Sequence, residues 1–254
     1  MTNNKIALIT GTTSGIGKAS AEIFAKHDYD LIITGRRKDR LEKLAADLKK
    51  KFKVKILALN FDVRERKEVE KNISKLPAEW KKIDVLLNNA GLASGLASIQ
   101  EGDIEDWEKM IDTNVKGLLY VTRQIAPMMI KNGKGHIINV ASLAGKQAYP
   151  KGNVYCATKF AVDALSQSMR IDMIEHGIRV TNIAPGLVET EFSIVRFHGN
   201  AERAKQTYSN IQPLTAEDIA EIIYWSASRP AHVNINDIVI TPTAQANAYI
   251  VNGK

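Results

Sequence analysis

The chain predicts an α/β fold: a doubly wound parallel sheet of about seven strands with helices on both faces, in a single domain spanning residues 1–254. Three observations carry that expectation. Short apolar runs alternate with longer amphipathic ones along the chain. The short runs are mostly apolar on both faces, as strands covered on both sides are, and strand–helix alternation of this kind gives a parallel sheet. A glycine-rich turn, Thr10-Gly11-Thr12-Thr13-Ser14-Gly15-Ile16-Gly17, follows the first apolar run, where a strand hands over to a helix.

The elements follow in order. Ile6–Thr10 is the first predicted strand and Ile16–Lys26 the helix after it. Asp30–Thr34 leads to a helix over Lys38–Lys50, closed by the basic run from Lys49 to Lys55, where cations suit the helix dipole. Lys55–Asn60 leads to Arg64–Leu76, and Asp84–Leu87 to one long helix, Ile104–Lys131. His136–Val140 precedes Val154–His176, and Arg179–Ala184 is the sixth strand. The segment Glu189–Leu214 has poor periodicity and is long for a plain connection, a pattern typical of lids and binding loops. Thr215-Ala216-Glu217-Asp218 resembles a capping box and opens a helix over Ala216–Ser228; Asp237–Ile240 is the last strand. Right-handed crossovers put the ligand crevice at the carboxyl ends of the strands, and Asn89 and Ser142 both fall there.

Composition narrows the function. The charged fraction of 25% and hydrophobic fraction of 44% are ordinary for a globular enzyme. No run approaches the ~18 apolar residues of a membrane span, and no signal peptide is expected. The net charge of +7 favours anionic ligands; a dinucleotide phosphate is preferred over nucleic acid, which is not expected as a partner. The only cysteine, Cys156, cannot form an internal disulfide, so a reducing compartment fits. The five histidines show no metal spacing, so no metal is expected; His198 alone is a candidate neighbour of a substrate.

The chemistry sits in Tyr155-Cys156-Ala157-Thr158-Lys159, with Ser142 thirteen residues upstream of Tyr155. Residues four apart share a helix face, so Lys159 can hold its ammonium beside the Tyr155 phenol and lower a pKa that starts near ~10. A phenol poised nearer neutrality donates and accepts protons. Joined to a phosphate-binding turn, that reads as hydride transfer with a nicotinamide cofactor. Each feature taken singly has a plainer reading. The turn can be purely structural, Tyr155 a core tyrosine, Asn114 a helix-surface residue, Asp62 a cap for the helix near Arg64, and Cys156 a packing residue.

Taken together with Asn88-Asn89-Ala90-Gly91, Asn114 and Pro185-Gly186-Leu187-Val188-Glu189-Thr190, these motifs resemble the short-chain dehydrogenase/reductase family over nearly the whole chain, in order and spacing. The resemblance implies a Rossmann fold and a role for each position. Gly11, Ser14, Ile16 and Gly17 match the pyrophosphate turn, Asp62 and Val63 the adenine contacts, and Asn89 a neighbour of the adenosine ribose. Tyr155 matches the acid/base. Lys159 matches the lysine that lowers the tyrosine pKa and binds the nicotinamide ribose. Ser142 matches the hydroxyl that positions the substrate carbonyl, and Asn114 a residue that kinks its helix and holds a water leading to the lysine. Pro185, Gly186, Val188 and Thr190 fall at the nicotinamide end.

The second predicted strand leads into Gly35-Arg36-Arg37, where a site for NAD would carry an acidic residue. Arginine forks suit a 2′-phosphate, so Arg36 and Arg37 indicate NADP. Narrower segments, among them Leu76-Pro77-Ala78-Glu79-Trp80 and Val195-Arg196-Phe197, resemble the NADP-dependent 3-hydroxy acid dehydrogenases. That resemblance implies a cytoplasmic homotetramer acting at C3 of serine, L-allo-threonine and 3-hydroxypropionate, the last made from malonic semialdehyde. Such substrates carry a carboxylate, and Arg196 is the candidate cation; a loop or subunit-contact salt bridge is its alternative role. Lys146 and Gln147 would change chain-length preference if they line the pocket. Reduction of another carbonyl (a 3-oxoacyl thioester, sugar or steroid) and NADP binding without turnover are the competing functions.

Overall fold

Ile6, Ala7, Leu8 and Ile9 are all buried, so β1 (Ile6–Ile9) has apolar partners on both of its faces. The structure, a computed structural model, describes residues 4–253; residues 1–3 and 254 of the expected domain lie outside that range. The strands are β1, β2 (Asp30–Gly35), β3 (Ile56–Asn60), β4 (Ile83–Asn88), β5 (Gly135–Val140), β6 (Ile178–Pro185) and β7 (Asp237–Ile240). They form one seven-stranded sheet in the order β3-β2-β1-β4-β5-β6-β7, with every pair parallel. The chain winds outward from β1 to β3, then returns to pair β4 with the other side of β1. That reversal is the topological switch point at which ligands bind in open α/β sheets.

Side chains alternate across the sheet with period two. Ala7, Ile9, Leu31 and Ile33 pack with Phe24 of α1 (Gly15–Lys26), Leu41 of α2 (Lys38–Phe52) and Ile219 of α9 (Ala216–Ala227). Leu8, Ile32 and Leu86 pack on the other face with Val69 of α3 (Arg66–Ser74), Ile125 of α5 (Leu118–Asn132) and Val162 of α6 (Asn153–Met173). Deleting a side chain as deeply placed as Phe24 costs about 3–5 kcal/mol, which anchors the α1 layer.

All seven expected strands are present, within two residues of their predicted ends. The expected capping box is formed: the Thr215 hydroxyl accepts from the Asp218 N–H at 3.1 Å and the Asp218 carboxylate from the Thr215 N–H at 2.7 Å. Three expectations are corrected. The helix after β3 starts at Arg66, because Asp62 accepts from the Arg64 N–H, two residues on, in a turn that precedes the helix. Asp62 therefore caps no helix. The long helix Ile104–Lys131 is broken into α4 (Ile104–Ile111), a π-helical turn over Asp112–Gly117, and α5. Asn114 lies in that turn, with its carboxamide bonded outside the helix. The segment expected to be irregular holds two short helices, α7 (Glu191–Arg196) and α8 (Ala201–Gln206). Thr190 and Asn200 cap them through Phe192 N–H and Arg203 N–H, a signal the sequence does carry.

Candidate active site

A cleft of about 660 Å³ opens at the carboxyl ends of the strands, roofed by α7 and by the chain after β7. It divides into a glycine-rich end, a catalytic end and the α7 side.

At the glycine-rich end, Gly11 has φ +70°, and a Cβ there would stand 2.9 Å from Ala90 Cα. Glycine alone meets both constraints. Asn89 locks the turn: its side-chain NH₂ donates to Thr10 O at 2.9 Å and Gly11 O at 3.1 Å. Gly17 does not line the cleft; a side chain on it would collide with Gly11 O and Asn89 Nδ2. Ser14 and Ile16 face the cleft, and Ser14 stands at the N-cap of α1 without capping it, because its hydroxyl accepts from Arg37 at 2.8 Å.

Arg36 and Arg37 line the far end, with Asp62 and Val63. Arg36 reaches Asp62 at 3.4 Å. Burial alone would raise the Asp62 pKa, but hydrogen bonds from Arg64, with the charge of Arg36, hold it below the ordinary value. Arg37 donates to Thr13 at 3.1 Å and to Glu191 at 2.7 Å, and Arg40 donates to the other Glu191 oxygen at 2.6 Å. A carboxylate from α7 thus offsets two cations at the start of α2. Glu191 and Arg40 were not singled out from sequence, since 151 residues separate them.

At the catalytic end, β5 runs into Ser142, whose hydroxyl accepts from Ala144 N–H at 3.1 Å and donates to Pro185 O at 3.4 Å. Tyr155 and Lys159 are buried neighbours on α6. The Lys159 ammonium donates to Val140 O at 2.9 Å and lies 5.9 Å from the centre of the Tyr155 ring. Burial lowers the Lys159 pKa to about 8. The Tyr155 pKa moves upward, opposite to the sequence expectation. Burial drives it and Tyr149 adds to it, while the Ser142 hydrogen bond and the Arg196 charge pull the other way. Desolvation of the phenolate outweighs its nearest cations. Asn114 lies behind this wall rather than in it. It bonds the Leu92 backbone through both ends of its carboxamide at 2.8 Å and donates to Thr158 at 3.0 Å. It thereby braces α6 one residue from Lys159.

On the third side, Pro185, Gly186, Val188 and Thr190 line the cleft as the chain leaves β6. Arg196 projects from the end of α7 and donates to the Tyr149 hydroxyl at 2.7 Å. Its guanidinium carbon lies 5.5 Å from the ring centres of both Tyr149 and Tyr155. Its Nε is buried with no hydrogen-bond partner among the described residues. Tyr149 lines the cleft and was missed from sequence. His198 does not line the cleft; it pairs with Asp106 at 3.0 Å. Lys146 turns away to Asp163 at 2.7 Å and Asp237 at 2.9 Å, and Gln147 accepts from Ala248 N–H at 3.1 Å. Neither lines the cleft, so the expectation that they tune chain length is withdrawn. Cys156 is buried beside Tyr155 and packs with Met110 and Ala144. No group of three or more His, Cys, Asp or Glu among the described residues is placed to hold a metal, and no helix there is long and apolar enough to cross a membrane.

Similar proteins carry the same architecture. The short chain dehydrogenase profile matches residues 5–201. NADP-dependent 3-hydroxy acid dehydrogenase YdfG of Salmonella typhi is 48% identical over 244 residues, 96% of this chain and 97% of that protein. Sulfoacetaldehyde reductase 2 of Chromohalobacter salexigens is 44% identical over 242 residues, 95% of each chain. The solved closed form of serine dehydrogenase complexed with NADP+ matches with a TM-score of 0.91 at 45% identity, over 96% of this chain and 97% of that one. The seven-stranded parallel sheet agrees with these matches, and the chain belongs to the short chain dehydrogenase family.

Proposed function

We propose that the protein is an NADP-dependent dehydrogenase that moves a hydride between nicotinamide and C3 of a small 3-hydroxy acid, such as serine, L-allo-threonine or 3-hydroxypropionate, with malonic semialdehyde as the oxidised partner of the last. The observation that carries the substrate class is Arg196, a cation beside Tyr155 with its Nε–H buried and unpaired among the described residues. Buried donors left unpaired are costly, and an acid group supplies the acceptor.

The cleft fits NADP. The first turn of α1 has no side-chain cap and no acidic residue, which leaves its amides for a phosphate. Gly11 keeps the backbone bare, and Arg36 and Arg37 suit a 2′-phosphate. Asp62 and Val63 then adjoin adenine, Asn89 and Lys159 the riboses, and Pro185, Gly186, Val188 and Thr190 the nicotinamide. Bound there, NADP supplies the hydride acceptor for oxidation and, reduced, the donor for the reverse reaction.

The protein's own residues manage the proton and the substrate. Tyr155 moves the proton at its hydroxyl. Burial holds the phenol protonated, the form that donates to a carbonyl oxygen during reduction. Ser142 holds that same oxygen. Lys159, with a pKa of about 8, is mostly charged at neutral pH and stabilises the phenolate left when the proton departs. Asn114 keeps α6 in register with the Leu92 loop through Thr158.

The similarity to sulfoacetaldehyde reductase 2 favours a second reading within the class, with a sulfonate in place of the carboxylate. Arg196 serves either anion. The same proposal takes residues 1–254 as one dehydrogenase domain in a cytoplasmic homotetramer. Apolar side chains left exposed on α5 and α6, among them Leu119, Phe160 and Ile171, support assembly, and the lone buried Cys156 suits a reducing compartment.

The test is a panel of 3-hydroxy acids, malonic semialdehyde and sulfoacetaldehyde with NADP(H), read by cofactor absorbance, on the unmutated protein and Arg196→Ala. The variant should raise KM for acids by roughly ten- to a hundredfold, with a smaller effect on uncharged substrates. Acids and their methyl esters responding alike would remove Arg196 from the site. Absence of turnover on every 3-hydroxy acid would overturn the substrate class.

A further inference from the structure

We propose that Tyr149 is the second half of the acid-group site, setting the Arg196 guanidinium in place and donating its own O–H to the same anion. This rests on the substrate class proposed above. Tyr149 precedes α6, the helix that carries Tyr155, whereas Arg196 belongs to α7. The hydrogen bond between them, 2.7 Å from Arg196 Nη2 to the Tyr149 oxygen, joins the roof of the cleft to its catalytic wall.

Both partners are held. The Tyr149 ring occupies the space over Gly152, where a Cβ would come within 2.7 Å of ring atom Cδ2, and Gly152 N–H donates to Tyr149 O at 3.1 Å. Gly95 N–H donates to Arg196 O at 2.9 Å and fixes the α7 end. The guanidinium lies over two aromatic rings, its carbon 5.5 Å from each centre. Such faces hold a cation without consuming its N–H groups.

That leaves two donors beside each other. Arg196 Nε–H is buried and unpaired among the described residues. Tyr149 accepts from Arg196, and its hydroxyl hydrogen has no acceptor among the hydrogen bonds of the described residues. Burial raises the Tyr149 pKa, so this hydrogen is retained at neutral pH. The two donors sit on groups already joined by a hydrogen bond, and together they match an anion that offers two oxygens, a carboxylate or a sulfonate. Tyr155 is the second of those rings, so the anion and the reacting oxygen are read by adjacent side chains.

Tyr149→Phe keeps the ring and removes the hydroxyl. The expected result is a rise of about tenfold in KM for the acid and a clearly smaller change in the KM of the methyl ester, since a single charge-assisted hydrogen bond to the anion is lost. In the Arg196→Ala background the same change should have a smaller effect than in the unmutated enzyme, because the two groups act on one anion. Equal KM rises for acid and ester, or fully additive effects of the two substitutions, would overturn the pairing. If acids are turned over and Tyr149→Phe leaves their KM unchanged, only this inference falls. If the unmutated enzyme turns over no anionic carbonyl or alcohol, the proposed function fails and the inference fails with it.

Discussion

Lys159→Met isolates a cost built into the catalytic wall. The lysine is 6% exposed, and burial lowers its pKa from 10.5 to about 8. The folded state therefore releases its proton more readily than the unfolded chain. Between pH 8 and 10.5 the unfolded chain binds more protons, and stability rises with pH through that window. Below it the full penalty of burying a charge is present. At pH 10 roughly three-quarters of unfolded copies would be protonated against about one in a hundred folded ones, which integrates to about 2–3 kcal/mol gained between pH 7 and pH 10. Methionine fills similar space and does not titrate. The stability of the lysine protein minus that of the methionine variant should therefore climb by about 2–3 kcal/mol over this interval, with other titrations cancelling in the difference. Urea unfolding at matched protein concentration, at pH 7, 8.5 and 10, measures it. The variant should also lose most of its turnover, since the phenolate then forms without a cation beside it. A difference that stays flat or falls with pH would show that the ammonium is not desolvated, and the account of the Tyr155–Lys159 pair would be wrong.

The other predictions concern single groups. Tyr155→Phe should lower turnover by about 10²–10⁴ with little change in NADP affinity, as expected for a positioned acid/base; retention of more than a tenth of the activity would remove Tyr155 from that role. Neutral replacements of Arg36 and Arg37 should each erode the NADP-over-NAD preference by about tenfold or more, read as the ratio of kcat/KM for the two cofactors; equal kcat/KM for the two in the unmutated enzyme contradicts the assignment. Thr215→Ala removes one side of the capping box that starts α9 and should cost about 0.5–2 kcal/mol in urea unfolding, with the active-site constants unmoved.

Much of this was readable from local pattern. The seven strands could be located because each is a short apolar run, and the period-two alternation that buries both faces is a property of consecutive residues. The glycine turn, Ser142, Tyr155 and Lys159 could be read because backbone bareness and helix spacing are also local. What the chain does not disclose by itself are the partners of long side chains. Glu191 meets Arg37 and Arg40 across more than 150 residues, and Arg196 meets Tyr149 across 47. Asn114 looks like a helix-surface residue until the Leu92 loop arrives to take its carboxamide. The direction of the Tyr155 shift also waits on tertiary structure. Spacing on a helix tells which cation is near, but only the packing of Phe192, Tyr149 and the surrounding core decides how much water is removed from the phenol. At this site, desolvation is the larger of the two effects.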